Sequence, residues 1–390
     1  MALGTFAVGT ESFMVAGLLP GMAADLSVSI ASAGQLVTAF AFAYALSAPI
    51  LAVVTGNISR RTLLIFAMGF FALGNAMAWA ARDYWQLMAA RVLLAFAAGL
   101  YVPGANALAS AVVTPERRGM AIAIVNGGLS LAIAFGVPLG AMLGDSLGWR
   151  STFGVVALLS GVAATALILF LPKSLGQGLR VATIEDRVKT ALQPKILLRL
   201  LVTSMWAMAS YTTYTYLSLF VSTATQLHGA QIGYILFTWG ASAVLGLLIS
   251  GKVIEKLGPR AVIAPALITS TLAFILMSTS AHLLSRTWEI VPALVAVIAW
   301  GIAHWAFYPA QQTTLVSLAG IKSAPVVLSL NASFMYLGFS LGAGAGSLTV
   351  AYSSPANLGY VSALCMTVAL LLTFTGSKRT SREKNAAMGI

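Results

Sequence analysis

Residues Gly9–Asp25, GTESFMVAGLLPGMAAD, place one carboxylate, Glu11, inside an apolar run that starts at Met1. A charge at bilayer depth costs at least about 2.5–3.5 kcal/mol on insertion scales, so an intramembrane acid is a functional candidate by default. Its neighbours at helical spacing are Ala7, Met14, Val15 and Leu18, an apolar face. The stretch reads as a membrane helix whose one ionisable group faces other helices. A carboxyl so placed can take up and release a proton as its surroundings alternate between apolar and wet. The bland alternative is a hydrogen bond to a neighbouring helix.

The whole chain fits that reading. Its 390 residues are 59% hydrophobic and only 8% charged, where soluble domains carry about 25%. The mean hydropathy is +0.91. Apolar runs separated by charged or Pro/Gly-rich breaks predict twelve spanning helices, near 1–21, 32–54, 62–81, 85–110, 119–143, 151–171, 196–222, 230–250, 261–281, 290–316, 324–350 and 358–376. The fold class expected is an all-α polytopic membrane protein. No cleavable signal is expected, because no basic segment precedes the first run. Cys365 stands alone, so no intrachain disulfide can form; it reads as a small core residue.

The net charge of +12 does not point to nucleic acid. The basic residues sit in short loops. Of the 22, 18 fall in one set of loops and 3 in the other, with Arg91 inside a span. That asymmetry puts the first set of loops, and both termini, in the cytoplasm. The expected division is a six-helix bundle over 1–172, a cytoplasmic loop over 173–195, a second bundle over 196–377 and a basic cytoplasmic tail over 378–390. Within the loop, ATIEDRVKTAL reads either as a short amphipathic helix on the membrane surface or as a tether.

The halves echo each other. Tyr101-Val-Pro103-Gly-Ala-Asn106 returns as Phe307-Tyr-Pro309-Ala-Gln-Gln312, 206 positions on, and Asn126 returns as Asn331, 205 on. The loop Gly56-Asn-Ile-Ser-Arg60-Arg61 returns as Gly251-Lys-Val-Ile-Glu255-Lys256-Leu-Gly258-Pro-Arg260. A near-constant offset is the mark of a six-plus-six transporter repeat.

These segments resemble the major facilitator superfamily, and within it the twelve-span drug:proton antiporters, in the branch of sugar-efflux and chloramphenicol-resistance proteins. Four features carry the resemblance: the first-span motif Thr10–Leu26, the loop pattern G-x-x-x-D-R-x-G-R, Arg91 followed by small residues to Gly99, and the fifth-span motif Gly136-Val-Pro138-Leu-Gly140. The run into Gly148-Trp149-Arg150 is also similar. The resemblance implies that the loops close a cytoplasmic gate through Gly56, Arg60, Arg61, Gly251, Glu255, Lys256, Gly258 and Arg260. The first loop has no acid and no second glycine, and the fifth-span motif has Gly-Val-Pro in place of adjacent Gly-Pro. The resemblance further implies proton-coupled efflux of a drug, sugar or nucleoside-like molecule by two rocking bundles. Uptake by the same fold is the alternative, and a polytopic membrane enzyme the remote one.

Candidate site residues follow from polarity at depth. Arg91 stays protonated and sits about 9 Å into its span, against roughly 15 Å for Glu11 counted in the opposite chain direction. It is expected either to tune Glu11 or to bond backbone carbonyls. Trp300, His304, Tyr308 and Gln311 share one helical face, an aromatic and polar stripe that lipid does not require. His304 is a candidate for substrate contact or proton carriage, or a packed histidine with a satisfied partner. Tyr211 and Tyr214, with Trp206 a turn earlier, offer ring surface and hydroxyls; Asn126 and Asn331 donate and accept. The alternative for the tyrosines is packing or an interfacial belt.

The glycines at 342, 344 and 346 predict close helix packing, not a nucleotide loop. Gly246–Val253 nearly matches a phosphate loop but lacks the final Ser/Thr and ends a span. No zinc motif or nucleophile elbow appears, so no metal and no cofactor is expected beyond protons as coupling ion. The partners expected are a small-molecule substrate and the bilayer, with the chain acting as a monomer.

Overall fold

The computed structural model describes residues 1–114, 117–172, 183–320 and 323–387. The stretch 173–182 of the expected inter-bundle loop, Lys322 and the last three residues of the expected tail lie outside them. In order the helices are α1 (Ala2–Asp25), α2 (Ile30–Val54), α3 (Arg60–Ala80), α4 (Tyr84–Ala111), α5 (Arg118–Leu131), α6 (Val137–Leu147), α7 (Trp149–Phe170), α8 (Ile184–Ala191), α9 (Pro194–Tyr214), α10 (Leu217–Ala224), α11 (Ala230–Leu257), α12 (Arg260–Leu283), α13 (Ile290–Ala319), α14 (Ala324–Tyr352) and α15 (Leu358–Ala387). Among the described residues no strand occurs.

Among the described residues eleven helices are long and apolar enough to cross a membrane. The fifth of these is α5 and α6 joined by a π-turn over Ala132–Gly136. The remaining span of the twelve is broken: α9 stops at Tyr214 and α10 resumes at Leu217. No glycine or proline marks the break, so the run 196–222 reads in sequence as one helix. Helices start where polar side chains can accept their free N–H groups. Ser29 and Ser59 cap α2 and α3, and Asp83 Oδ1 takes Trp85 N and Gln86 N at 2.9 and 3.0 Å. Of the two readings of ATIEDRVKTAL, the short helix is present as α8, with a capping box between Thr183 and Asp186.

Small residues let the helices approach. On α6 and the π-turn, Gly136, Gly140 and Gly144 ride against Thr10, Met14 and Leu18 of α1, both sets spaced by four. The fifth-span motif is thus the seat for the helix that carries Glu11. Gly338, Gly342 and Gly346 on α14 repeat the device against the backbone at Ser204, Met208 and Thr212 of α9. Gly344 faces open space instead. A side chain at 342 would overlap the Met208 carbonyl, which cannot swing away. Gly342→Leu is therefore expected to cost about 1–3 kcal/mol or more of overpacking, read as a lower thermal midpoint in detergent. Gly344→Ala should leave the midpoint unchanged or slightly raised. Equal losses at both positions would refute the packing assignment.

The bundles meet through α2 against α14, α11 against α6, and α1 against α10. Hydrogen bonds gather at one end of the seam. Tyr214 Oη donates to Phe13 O (3.2 Å) and Ser218 Oγ to Ala16 O (2.8 Å). Ser340 Oγ donates to Thr38 O (3.0 Å) and Ser347 Oγ to Ala31 O (2.9 Å). At the other end α4 and α5 make no substantial contact with α13, and Asn126 on α5 is exposed. The molecule is shut at the end where α1 terminates and parted at the end where it begins.

Candidate functional site

Glu11 lies on the face of α1 turned toward α4, and both Glu11 and Arg91 are fully buried. Arg91 Nη1 bonds directly to Glu11 Oε1. The chain-depth count left a gap between the two, which the length of the guanidinium side chain spans. Arg91 also donates from Nε to Leu36 O at 3.4 Å and lies 4.2 Å over the Phe40 ring. Yet Glu11 Oε2 and Arg91 Nη2 have no partner among the described residues. A buried pair repays its desolvation only when its remaining atoms are also bonded. This pair is half satisfied, with one acceptor and one donor free for water, a proton or a ligand.

Two residues on, Phe13 leaves the first bundle and enters the second. Its ring meets Tyr211, Tyr214, Trp305 and Phe339 at centroid distances of 6.1, 6.0, 6.3 and 6.4 Å. Positions 11 and 13 are about 200° apart on a helix, which lets one turn of α1 address both bundles. Ring contacts continue with Tyr211 stacked on Phe339 at 3.6 Å, and across the seam with Tyr44 stacked on Tyr336 at 3.6 Å.

His304 is the hub of the second bundle's ring cluster. Trp206 stacks on it at 4.1 Å, and Trp305, Trp239 and Trp300 lie at 5.5, 6.0 and 6.4 Å. Its Nδ1 is 2.7 Å from Ser210 Oγ, which also accepts from Trp300 Nε1 at 3.3 Å. Ser210 Oγ has a second lone pair beside the one that takes the indole hydrogen, so its contact with Nδ1 is met with the ring hydrogen on either nitrogen. The indole N–H groups of Trp206, Trp239 and Trp305 are buried without an acceptor among the described residues. Each such donor costs about 1–3 kcal/mol. The cluster is thus rich in aromatic faces and unanswered donors.

Tyr308 stays with the cluster, stacked beside Trp206 at 5.9 Å. The other expected residues go elsewhere. Gln311 Nε2 donates to Arg199 O (2.6 Å) and Thr203 Oγ1 (3.1 Å), and Thr203 donates to Asn331 Oδ1 (2.7 Å). Gln311 and Asn331 are therefore knitted into α9 by Thr203. Asn126, the repeat partner of Asn331, takes Asn106 Nδ2 at 3.1 Å on the parted, exposed side. In the first loop, Arg61 caps the end of α7 by donating to Leu171 O and Ile168 O at 2.7 and 3.0 Å, while Arg60 is buried. In the second, Glu255, Lys256 and Arg260 are exposed, and Gly258 ends α11 at φ +79°. Arg150 bonds Asp25 and donates to Ala81 O at 2.9 Å, tying the ends of α1, α3 and α7. Among the described residues no group of three metal-ligating side chains occurs.

The helical fold finds its match in known proteins. The family model of the Major Facilitator Superfamily matches residues 1–343 and 200–389. The chain belongs to this superfamily. It is 31% identical over 371 residues to the uncharacterized MFS-type transporter YbcL of Bacillus subtilis (strain 168), covering 95% of this chain and 93% of that one. It is 30% identical over 383 residues to a chloramphenicol resistance protein of Streptomyces lividans, covering 96% and 94%. A bacterial homolog of the human lysosomal transporter Spinster, solved inward-facing and occupied, superimposes with a TM-score of 0.77 at 18% identity, over 97% of this chain and 96% of that chain. The chain is accordingly a multi-pass membrane transporter of the major facilitator fold.

Ring positions that sequence reasoning left out are Phe13, Trp239, Trp305, Tyr336 and Phe339. Phe13 adjoins the Glu11 motif, but a lone Phe in an apolar run gives no signal. Trp239 belongs to the run 230–250, where a tryptophan reads equally as an interface anchor.

Proposed function

We propose that this chain is a proton-coupled exporter of the bacterial inner membrane, with both termini cytoplasmic and the shut end facing outward. The observation that carries the reading is the buried Glu11–Arg91 pair, with one atom of each partner unbonded among the described residues, two residues from the Phe13 finger in the opposite bundle. A proton on Glu11 removes the negative member of the pair. Arg91 then needs a new partner, and the first bundle repacks around it. Loss of the proton restores the pair. Because Phe13 rides on the same helix, that repacking is felt in the second bundle's ring cluster. The drive is the proton gradient, whose electrical part is worth about 2.3 kcal/mol per charge per 100 mV.

The ring cluster supports a substrate that is flat, aromatic and rich in hydrogen-bond acceptors. Its free groups are donors, and the acid that would attract a cation is already paired. Chain monomers suffice, since both halves of the site come from one chain.

The test uses purified protein in liposomes with an imposed pH gradient and a panel of aryl ketones, nitroarenes, lipophilic cations, sugars and nucleosides. Proton movement opposite to substrate is expected, greatest for the acceptor-rich aryl compounds. In Glu11→Gln the substrate-driven proton flux should fall at least tenfold, to the leak of empty liposomes. Wild-type flux in the mutant would remove Glu11 from coupling and turn attention to His304. Protons moving with substrate would make the chain an importer.

A further inference from the structure

The described residues hold a second fully buried acid, Glu289, in the turn before α13 at the shut end. Unlike Glu11 it has no cation within ion-pair distance among the described residues. Its Oε2 has no partner among them either. Its Oε1 lies 2.9 Å from Ser280 Oγ on α12, and that hydroxyl lies 2.6 Å from Leu276 O. One hydroxyl hydrogen serves one acceptor at a time. With Glu289 protonated, Ser280 donates to Leu276 O and accepts from the carboxyl, and both contacts are met. With Glu289 ionised, a buried charge is left with one hydroxyl as its only support, at a cost of several kcal/mol. The neutral form is the one this geometry suits.

The same turn grips the gate. Arg286 donates from Nε to Thr223 O (2.9 Å) and from Nη2 to Ser222 O (2.8 Å), which caps the last carbonyls of α10. Gln226 Nε2 donates to Thr287 Oγ1 at 2.9 Å. On its other side α10 crosses to the first bundle through Ser218 and Ala16 O at 2.8 Å. Parting the bundles at this end breaks α10 from Ala16, and α10 is tied to the turn that carries Glu289.

We propose that Glu289 is a second proton-binding site, filled while this end is shut and emptied to water when it opens, so that acidity on this side favours closure. Burial pushes its carboxyl above the usual carboxylate range, against a smaller opposing effect of Ser280. The sign follows. The closed state binds the proton more tightly, so closure is favoured fully below the ordinary glutamate value of about 4.3. That preference is lost as pH rises through the raised value of the closed state. The ionisable neighbours are otherwise engaged. His282 bonds Asn357 Oδ1 at 2.7 Å and stacks on Tyr360 at 6.0 Å, and Arg286 holds α10. α10 and the first turns of α13 carry no ionisable side chain.

The experiment places spin labels at Ala24→Cys and His228→Cys, on exposed positions of the two bundles at this end, in a Cys365→Ser, Glu11→Gln chain in nanodiscs. The Glu11 substitution removes that site's titration, so failure here does not bear on the coupling reading. Distances are measured from pH 8 to pH 5. The short-distance fraction relative to the long one should rise about tenfold for each pH unit by which the closed-state value exceeds the open-state one. Glu289→Gln should hold the short distance at every pH, and Glu289→Asp should keep a titration. Arg286→Gln, which leaves the acid in place, should flatten the pH response by releasing α10. A wild-type pH response in Glu289→Gln, or in Arg286→Gln, would overturn the proposal.

Discussion

Arg91→Met is expected to destabilise the protein by about 3–5 kcal/mol, the usual cost of stranding one member of a buried pair. The same change made together with Glu11→Gln should cost far less. The reason lies in the geometry. Glu11 is fully buried and its only bonded partner among the described residues is Arg91. Methionine keeps the volume and the contact with Phe40 but leaves the carboxylate alone. Glutamine with methionine leaves no charge, and replacing both members of a buried pair is often neutral. Thermal unfolding in detergent at one fixed pH checks this as a double-mutant cycle. If single and double mutants lose the same stability, Arg91 acts through Leu36 O and Phe40, and its charge is not what Glu11 needs.

The sequence carries the membrane architecture almost completely, because hydropathy and helix length are local. That Glu11 needs a partner was legible for the same reason: a carboxylate buried in an apolar helix must be answered by a neighbour. What sequence could not reach is pairing across helices. Depth counting put Arg91 and Glu11 several ångströms apart, and only the rotation of α1 and α4 about their axes decides that the side chains meet. The stripe Trp300, His304, Tyr308 and Gln311 lies on one face, as spacing requires, yet its members part company. Trp300 and His304 share Ser210, whereas Gln311 turns to Arg199 O and Thr203. One face of a helix this long meets different neighbours along its length.

Glu289 shows the opposite failure. It stands in RTWE, a polar turn beside an exposed tryptophan, and loop acids are ordinarily solvated. Its burial is made by α12, through Ser280, and nothing local announces it. The asymmetry of Asn126 and Asn331 has a related cause. The repeat fixes equivalent positions in two bundles, but Asn331 finds Thr203 on α9 while Asn126 stands at the parted end. Sequence symmetry specifies the fold; the state of the gate then breaks it.

Phe13→Ala is expected to shift the molecule toward the state open at the end that is shut here, by about a hundredfold. In this structure the ring is surrounded by Tyr211, Tyr214, Trp305 and Phe339 of the opposite bundle. Removing a buried phenylalanine costs about 3–5 kcal/mol. The loss falls on the closed state, because the ring must leave those four partners when the bundles separate. Even 3 kcal/mol corresponds to about two orders of magnitude in the equilibrium. The backbone bond from Tyr214 Oη to Phe13 O survives the substitution, so the effect isolates the ring. Label pairs on Ala24→Cys and His228→Cys report the shift directly, and Phe13→Leu should restore part of the closed population by refilling the volume. An unchanged distance distribution in Phe13→Ala would mean that closure is held by the other seam contacts, α2 against α14 and Ser218 against Ala16 O among them. Phe13 would then be core packing, and the link from Glu11 to the ring cluster would have to run through another residue of α1.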